Sequence, residues 1–479
     1  MTTPKARTDL FYINGAWVAP QGSAQIDIVN PSTESVIGSV TLGNADDVEA
    51  AVTAAADAFP AWSRSTVAER IELLRAIEAE YTRRADDLAE AVHQEMGAPL
   101  GFAAGAQVPV GGAHIAQMID TLQAYDFTEQ RNGFSVAKEP VGVVAMITPW
   151  NWPLNQISTK VVPALAAGCT MVLKPSEISP INAAIFAEIM DAAGVPAGVF
   201  NLIHGDGPTV GAVMSSHPKV DMVSFTGSTR AGVAVAKSAA DTVKRVHQEL
   251  GGKSANIILP DADLENAVTA GVAGCYINAG QSCNAPTRMF VSRDQQDEVS
   301  RIAVRAAKGF VPSTQNGNGE QIGPMVSKVQ FDKVQALIQA GIDEGAKLET
   351  GGVGRPDSVQ DGWFVKPTVF SNVTPDMRIS REEIFGPVLS ILPYDSVEQA
   401  VAMANDTEYG LAGYVSGNDP DAVADIANRL RAGTIFVNSP DWTPQMPFGG
   451  YKQSGNGREY AEFGLDDYLE IKGIVGQVA

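Results

Sequence analysis

Two side chains of this sequence have the types and surroundings needed for nucleophilic chemistry on a carbonyl group. Cys283 lies in the polar stretch NAGQSCNAP, whereas Cys169 and Cys275 have apolar neighbours. A thiolate in polar surroundings can attack a carbonyl carbon, although a structural cysteine is the alternative. Glu249, in HQELGG, ends a predicted strand beside apolar residues. Burial there would raise the pKa of its carboxyl group and suit it to general base catalysis, although a solvated glutamate is the commoner case.

Asn151, in TPWNWP, leaves a predicted strand at a bend flanked by prolines. Its side-chain amide could donate a hydrogen bond to a developing oxyanion, and an ordinary turn asparagine is the alternative. Together with a thiol and a carboxylate, such a donor would complete a site for acyl chemistry.

Other polar residues follow predicted strands in a way that suits a nucleotide. Lys174 and Glu177, in LKPSE, could hold ribose hydroxyls, or they could form an ordinary surface ion pair. Gly227 and Ser228, in FTGSTRAG, open a predicted helix, whose N-terminal amides suit a pyrophosphate. The sequence Gly205-Asp206-Gly207 has Val210 where a dinucleotide motif needs glycine, so it is interpreted as a turn.

These residues need elements that bring them to one place. The first forty residues contain short β-type runs, and helical patterns cover about 44–95 and about 110–124. From VGVVAMIT to TRAGVAVAKSAA, apolar strands then alternate with helices, which predicts a parallel sheet covered on both faces. A second α/β domain begins near residue 252, the loop VPSTQNGNGEQIGP interrupts it, and LDDYLEIKGIVG reads as a final strand. In such sheets ligands bind beyond the carboxyl ends of the strands, where the candidate residues stand.

Composition excludes several other classes of function. The 479 residues carry a formal net charge of −21, which disfavours binding to nucleic acid and to anionic membranes. Three cysteines without a Cys-x-x-Cys pair and five scattered histidines predict neither a disulfide framework nor a metal site. No apolar run reaches the roughly 20 residues of a membrane helix, and the N-terminal residues lack an export signal. A cytoplasmic location is expected.

The strings TPWNWP, KPSE, FTGSTRAG, ELGGKS, GQSC, EEIFGPV and PFGGYKQSG occur in this order. In this respect the chain resembles the NAD(P)-dependent aldehyde dehydrogenase superfamily, from INGAW to the last strand. The resemblance implies an α/β fold with a Rossmann-like parallel-sheet NAD-binding domain, an α/β catalytic domain and a small β oligomerisation arm. It divides the chain into an NAD-binding domain (1–123 and 143–251), a catalytic domain (252–450), and an arm with a C-terminal segment (124–142 and 451–479). A homodimer or homotetramer follows from pairing of the last strand between subunits, which would also protect its free edge.

The resemblance also implies a mechanism. Cys283 attacks the aldehyde to form a thiohemiacetal, and the Asn151 amide and the Cys283 backbone N–H hold the oxyanion. Hydride transfer to the nicotinamide leaves a thioester, which water activated by Glu249 hydrolyses. Glu249 could also help to deprotonate the thiol, whose ordinary pKa is near 8.5. Lys160 and Glu459 correspond to a pair thought to relay protons out of the site.

NAD is the implied cofactor, and NADP is possible. Lys174 and Glu177 correspond to contacts of the adenosine ribose, and the Glu177 carboxylate would repel a 2′-phosphate. Ser228 corresponds to a pyrophosphate contact, Glu383 to a nicotinamide-ribose contact, and Phe385 would pack beside the nicotinamide. The full predicted cofactor set is Ile147, Thr148, Trp150, Lys174, Glu177, Gly227, Ser228, Leu250, Glu383 and Phe385.

The residues that flank these motifs would line the substrate tunnel. They are Trp152, Gln156, Thr159, Ser282, Asn284, Trp442 and Phe448. Two tryptophans suit an aromatic or medium-chain aldehyde. Trp152 replaces the phenylalanine that is commoner in the family and could narrow the entrance. No arginine or lysine flanks the motifs to bind a substrate carboxylate, since Arg288 lies inside a predicted strand, in a structural role.

Three alternatives stay open beside a broad-range or aromatic aldehyde dehydrogenase. One is a semialdehyde dehydrogenase acting on a carboxylated aldehyde. Another is a CoA-acylating dehydrogenase, against which Glu249 argues because its natural role is to activate water. The third is a non-enzymatic relative, which the filled set of chemical positions disfavours.

Overall fold

A computed structural model describes residues 6–314 and 320–476. Part of the predicted glycine-rich loop, 315–319, lies outside this range. So do residues 1–5 of the predicted NAD-binding domain and residues 477–479 of the predicted C-terminal segment.

The chain before residue 143 forms short β-hairpins and a group of helices. Its strands are β1 (Phe11–Ile13), β2 (Ala16–Val18), β3 (Ala24–Asn30), β4 (Ser35–Leu42), β5 (Thr128–Arg131) and β6 (Phe134–Pro140). Its α-helices are α1 (Ala45–Trp62), α2 (Val67–Arg83), α3 (Ala85–Met96), α4 (Leu100–Phe102) and α5 (Val108–Ala124).

The next segment alternates strands with helices. Its elements are β7 (Val143–Ile147), α6 (Pro153–Ala167), β8 (Thr170–Lys174), α7 (Pro180–Ala192), β9 (Phe200–Leu202), α8 (Ala212–Ser216), β10 (Met222–Thr226), α9 (Thr229–Ala239) and β11 (Arg245–Glu249). Every residue of β7, β8 and β10 is buried. The apolar sequences of these strands predict this burial, because a sheet covered on both faces exposes neither side.

The remaining elements continue the α/β alternation and end in a long strand. The strands are β12 (Ala255–Ile258), β13 (Arg288–Ser292), β14 (Phe310–Pro312), β15 (Glu320–Ile322), β16 (Lys347–Thr350), β17 (Thr368–Ser371), β18 (Val388–Tyr394), β19 (Ala412–Ser416), β20 (Thr434–Val437), β21 (Gly455–Asn456) and β22 (Leu469–Val475). The α-helices are α10 (Leu264–Tyr276), α11 (Gln296–Ala307), α12 (Lys328–Asp343), α13 (Arg378–Arg381), α14 (Val397–Asn405), α15 (Pro420–Arg429) and α16 (Ala461–Asp467).

Two large sheets, each with its own core, organise these elements. The first has the order β2-β1-β9-β8-β7-β10-β11-β21, and its strands β7 to β11 run parallel. The second has the order β16-β17-β18-β13-β12-β19-β20 and is parallel except for β16. The predicted α/β fold with parallel sheets is therefore confirmed. A third sheet pairs β22 with β6 and β6 with β5.

The second predicted helical stretch begins ten residues earlier than expected, at Leu100, and passes through a π-helical turn at Ala103–Gln107. In the structure Pro109 lies in the first turn of α5, where a residue without an N–H costs little.

Arg70 on α2 fixes the end of α6, the helix that carries several predicted site residues. It is buried, and its guanidinium donates to the carbonyl oxygens of Ala166 and Ala167 at 3.1 and 2.8 Å. The same group also donates to the carbonyls of Ser63 and Ser65. A cation at a helix C-terminus also interacts favourably with the helix dipole.

We expect Arg70→Met to lower the free energy of unfolding by roughly 2–4 kcal/mol, because buried carbonyls would lose a charged donor. Chemical denaturation followed by circular dichroism measures the change. Arg75→Met is the matched control, since Arg75 lies on the same helix and its exposed side chain pairs with Glu72. Equal stability of the two variants would contradict the argument.

Within the described ranges, no helix is both long and apolar enough to cross a lipid bilayer.

Candidate active site

The register of the first sheet brings polar residues to one edge. Ile147 pairs with Lys174 on β8 and with Phe225 on β10, and Thr226 pairs with Glu249 on β11. Because these strands are parallel, their carboxyl ends open on the same side, where ligands of such sheets bind.

A cavity of about 140 Å³ opens at this edge. Eight of the predicted site residues line it together: Trp150, Asn151, Gly227, Ser228, Leu250, Cys283, Glu383 and Phe385. The structure thus brings the predicted nucleophile and the predicted oxyanion donor into one cleft with much of the predicted cofactor set.

The segment that presents Cys283 has an unusual backbone. After α10 ends at Tyr276, Asn278 and Ala279 adopt left-handed conformations with φ of 54° and 57°. Such conformations cost free energy in non-glycine residues and are commonest at functional sites. The turn aims Cys283 into the cleft rather than continuing the helix.

Two glycines allow this turn to approach the neighbouring motifs. A Cβ atom on Gly252, in ELGGKS, would lie 2.2 Å from the Cys283 carbonyl oxygen. A Cβ atom on Gly280 would lie 2.2 Å from the carbonyl oxygen of Gly386, in EEIFGPV. These distances are far below any van der Waals contact, so the close approach requires glycine.

The Cys283 thiol lies in an environment that favours its protonated form. Burial raises the pKa of Cys283 well above its usual range, and the negative charges of Glu249, Glu383 and Glu459 raise it further. The predicted nucleophile therefore needs a base to take its proton at neutral pH.

Glu249 has the properties of such a base. Its side chain is 2% exposed, and neither of its carboxylate oxygens accepts a hydrogen bond from the part of the chain that the structure describes. Burial raises the pKa of Glu249 to about 7, although the nearby His247 acts in the opposite direction. A carboxylate with a pKa near neutral pH and free lone pairs can accept a proton from water or from a thiol.

The neighbours of Asn151 hold it firmly. Its backbone carbonyl accepts hydrogen bonds from the side chains of Gln107 (3.2 Å) and Asn278 (2.7 Å). Its side-chain nitrogen donates to the carbonyl of Gln281 at 3.0 Å. Because an amide nitrogen carries two hydrogens, this arrangement leaves one N–H for an oxyanion in the cleft.

Lys160 and Glu459 form a fully buried ion pair, with Nζ 2.6 Å from Oε1. Lys160 lies on α6, and Glu459 lies just before α16, so the pair joins two distant parts of the chain. The charges of both residues act on the Glu249 carboxylate. The pair is therefore close enough to influence the predicted base.

Lys174 and Glu177, the residues predicted to contact the adenosine ribose, form an ion pair at the carboxyl edge of the first sheet. Lys174 Nζ is 3.4 Å from the Glu177 carboxylate and donates to the carbonyls of Pro175 and Gly205 at 2.9 and 2.7 Å. The backbone N–H of Thr148 donates to the Lys174 carbonyl, so this predicted residue lies beside them. The segment Gly205-Asp206-Gly207, interpreted as a turn, instead leads into a π-helical turn at Gly207–Gly211, which the Asp206 side chain caps.

The remaining cofactor residues have defined contacts. The Ser228 hydroxyl accepts from the Ala231 N–H as the N-cap of α9. Glu383 Oε1 accepts from the Gly252 N–H at 2.9 Å. The Phe385 ring meets the Trp150 ring edge-on, with centroids 5.6 Å apart.

This arrangement fits a dinucleotide. The helix N-terminus at Ser228 suits a pyrophosphate, and Lys174, Glu177 and Glu383 offer charged partners for ribose hydroxyls. The buried hydroxyls of Thr148 and Thr226 at the same edge lack hydrogen-bond partners among the described residues. Buried polar groups are nearly always partnered, so these hydroxyls point to a ligand or to bound water.

The predicted tunnel residues approach Cys283 from two directions. Trp152 Nε1 donates to the Ser282 hydroxyl at 2.8 Å, one residue from the thiol. Phe448 and Tyr460 stack with centroids 5.1 Å apart, and Cys283 packs against them.

The stacked rings of Phe448 and Tyr460 form an aromatic wall beside Cys283, and further rings extend this wall outward. The Trp442 ring, 41% exposed, contacts the rings of Tyr460 and His114 at 6.2 and 5.5 Å. Burial lowers the pKa of His114 to about 4, so its imidazole is neutral at physiological pH. The wall is therefore aromatic and uncharged.

For the other predicted tunnel residues, the structure shows contacts with groups other than the thiol. Thr159 and Gln156 are buried on α6, and the Thr159 hydroxyl donates to the Gln156 carbonyl. The backbone carbonyl of Asn284 accepts from the Tyr414 hydroxyl. Arg288 has the structural role expected of it, since it donates to the carbonyls of Lys253, Met403 and Ala404.

Sequence reasoning missed four residues around the site. His114 and Tyr460 line the aromatic wall, and no motif pointed to either. His247 and Asp467 lie beside Glu249, with His247 Nδ1 2.7 Å from Asp467 Oδ2. The alternation of a strand could have found His247, because residues two apart on β11 face the same side.

Comparison with known proteins agrees with this geometry. Residues 17–474 match the model of the aldehyde dehydrogenase family. The 3-succinoylsemialdehyde-pyridine dehydrogenase of a Pseudomonas species is 51% identical over 97% of this chain and 98% of that protein.

Solved structures give the same result. A mutant of aldehyde dehydrogenase C from Pseudomonas syringae, complexed with NAD⁺ and octanal, is 49% identical over 99% of each chain, with a TM-score of 0.98. A mutant betaine aldehyde dehydrogenase of Staphylococcus aureus, in complex with NAD⁺, is 38% identical over 98% of this chain and 97% of that chain, with a TM-score of 0.94.

Proposed function

Since the chain belongs to the aldehyde dehydrogenase family and is an oxidoreductase that acts on aldehydes with NAD, we propose that Cys283 carries the reaction and that its substrates are uncharged aldehydes, aromatic or of medium chain length. The observation that carries this proposal is the single cleft that holds Cys283, Asn151 and the predicted nicotinamide contacts, next to an aromatic wall.

The reaction begins at the thiol. Glu249 takes the thiol proton, directly or through water, and Cys283 Sγ bonds to the aldehyde carbon. The resulting oxyanion is held by the Asn151 amide and the Cys283 backbone N–H. NAD, when bound in the cleft, supplies the acceptor for the hydride. Loss of that hydride from the thiohemiacetal carbon leaves a thioester on Cys283.

Hydrolysis of the thioester completes the cycle. Glu249 takes a proton from water, the water oxygen bonds to the acyl carbon, and the carbon–sulfur bond breaks to release the acid. The buried Lys160–Glu459 pair then carries protons away from Glu249. The unpartnered oxygens of Glu249 support this role, because they can still accept hydrogen bonds from a water molecule.

The cofactor contacts follow from the same edge of the sheet. Ile147, Thr148 and Trp150 line the approach, and Lys174 and Glu177 hold the adenosine ribose. Gly227, Ser228 and Leu250 hold the pyrophosphate side of the cofactor, while Glu383 and Phe385 hold the nicotinamide ribose and ring. Glu177 favours NAD over NADP because its carboxylate repels a 2′-phosphate.

The aromatic wall supports an uncharged substrate. Trp152, Trp442 and Phe448, with the neutral His114, offer apolar faces but no cation. The structure of aldehyde dehydrogenase C in complex with octanal supports a medium-chain aldehyde. We assign Gln156, Thr159, Ser282 and Asn284 to the same tunnel.

A semialdehyde is the second candidate, because the 51% identical relative is named for a semialdehyde that bears a pyridine ring. A ring of that kind suits the same wall. A carboxylated semialdehyde fits less well, because no arginine or lysine is among the wall residues. Transfer of the acyl group to coenzyme A is disfavoured by Glu249.

Assembly and location follow from the sequence analysis. The predicted division into domains stays a proposal, as does a homodimer or homotetramer joined through the arm. The exposed Ile471 and Val475 on β22, 74% and 87% exposed, support a subunit contact at this edge strand. Light scattering would test the oligomeric state. A cytoplasmic location stays a prediction.

A panel of aldehydes tests the proposed function. We expect benzaldehydes and medium-chain alkanals to give kcat/KM values at least about tenfold above those of carboxylated semialdehydes, because the wall lacks a cation. We also expect NAD to be preferred to NADP. Absorbance of NADH or NADPH at 340 nm measures both. Higher kcat/KM for carboxylated semialdehydes would contradict the uncharged tunnel, and thioester formation from added coenzyme A would contradict hydrolysis.

A further inference from the structure

We propose that His247, held by Asp467, is a positioning residue that keeps the Glu249 carboxylate ionised and oriented for thioester hydrolysis. The inference deepens the proposed function, on which it rests. It concerns two residues that none of the recognised motifs contains.

The first argument is the local structure of β11. Residues 247 and 249 are two apart on this strand, so their side chains point to the same face. His247 Nε2 lies 3.8 Å from Glu249 Oε1, and both side chains are 2% exposed. At this separation in a buried site, the charge of each of these two groups acts strongly on the other.

The second argument is the partner on the other side of the ring. His247 Nδ1 lies at an ion-pair distance of 2.7 Å from Asp467 Oδ2, and the same oxygen accepts a hydrogen bond from the backbone N–H of Arg458 at 2.6 Å. The imidazole ring of His247 therefore lies between two carboxylates. One belongs to the predicted base Glu249, and the other belongs to Asp467 at the end of α16. A carboxylate behind an imidazole fixes its orientation and favours its charged form.

A third argument is how tightly the structure encloses this arrangement. A Cβ atom on Gly457, whose φ is +81°, would lie 2.6 Å from Asp467 Oδ2 and 2.8 Å from His247 Nδ1. A Cβ atom on Gly449 would lie 2.8 Å from Glu249 Oε1. The backbone at Gly457 and Gly449 therefore packs directly against the imidazole and the carboxylates.

The surrounding charges agree with a protonated imidazole. Burial lowers the pKa of His247, but the Asp467 and Glu249 carboxylates outweigh it and raise the pKa to about 9. Lys160 opposes them. The titratable and charged groups that face this cluster from its own strand and from the elements packed against it are Arg245, Glu249, Lys160, Cys283, Glu459, Tyr460, Asp467 and Tyr468.

The consequence for the reaction is electrostatic. A carboxylate as buried as Glu249 tends to take up a proton and is then useless as a base. The imidazolium of His247 opposes this tendency and leaves both oxygens of Glu249 without a hydrogen bond that would block water. No proton passes through His247 in this scheme.

The pH dependence of kcat tests the proposal. In His247→Gln we expect the midpoint of the acid limb to rise by about one unit or more, because Glu249 loses a neighbouring positive charge. At pH above that limb, kcat should return close to the unmodified value, and KM for NAD should hardly change. Asp467→Asn should shift the limb in the same direction, which gives a second variant if the first does not fold.

Glu470→Gln is the matched control. It removes a carboxylate on β22 that forms an ion pair with Arg245. The acid limb of this variant should coincide with that of the unmodified protein. An unshifted limb in both His247→Gln and Asp467→Asn would overturn the proposal, as would an equal loss of kcat at every pH. Failure of the unmodified protein to oxidise any aldehyde would instead refute the proposed function.

Discussion

Cys283→Ala is expected to lower the rate of NADH production from any aldehyde by at least about 10³-fold, because no other group in the cleft can form the thioester. The replacement is smaller than the thiol and leaves the backbone turn intact, so the protein should fold and bind NAD as before. Steady-state absorbance at 340 nm measures the loss, and quenching of tryptophan fluorescence measures NAD binding.

Cys275→Ala provides the matched control for this experiment. Cys275 is fully buried in the core of the second sheet, eight positions before the nucleophile, and its Sγ contacts the Val388 carbonyl. Its loss should cost some stability and leave kcat unchanged. If Cys283→Ala still oxidised aldehydes and Cys275→Ala did not, the assignment of Cys283 as the nucleophile would be wrong.

Glu249→Gln is expected to separate the two halves of the reaction. The amide has the shape of the carboxylate but cannot accept the proton of water, so hydrolysis should slow by about 10²–10⁴-fold. In the proposed reaction hydride transfer precedes hydrolysis. Rapid mixing should therefore give up to one NADH per active site and then a stall, and the burst itself should be slower than in the unmodified protein because the amide cannot take the thiol proton.

The pH profile adds an independent check on the same residue. Burial raises the pKa of Glu249 to about 7, and a base must be ionised, so kcat of the unmodified protein should fall as the pH drops through about 7. This acid limb should disappear in Glu249→Gln. Full steady-state turnover in that variant, or an NADH burst that no stall follows, would contradict the role of Glu249 in hydrolysis.

The sequence predicts most of the cleft because parallel sheets follow simple rules. The strands that precede Asn151, Lys174 and Gly227 are apolar and alternate with helices, so their carboxyl ends must meet at one edge. The structure brings Asn151 and Gly227 into one cavity with Cys283, as expected, and leaves Lys174 at the same edge. Which of these side chains act in catalysis stays a prediction.

The parts that the sequence does not predict come from distant segments. Tyr460 reaches the thiol only because the chain after β20 folds back over the cleft, and β21, which pairs Gly455 with Glu249, has two residues and no hydrophobic pattern. The same folding back of the chain after β20 brings Asp467 next to His247. Such contacts depend on tertiary packing that no local periodicity records.

The glycine contacts around Cys283 bear on how such a protein can change its substrate. The predicted nucleophile, the ELGGKS segment and the EEIFGPV segment approach through main-chain atoms at Gly252 and Gly280, and the Glu383 carboxylate adds a hydrogen bond from the Gly252 N–H, so their mutual geometry rests mainly on the backbone. Trp442, by contrast, is partly exposed and meets the site through ring contacts alone. Its replacement can therefore reshape the tunnel while the reacting groups stay in place. Reaction type and substrate range can thus diverge independently during evolution, the first fixed by the backbone and the second open to single substitutions.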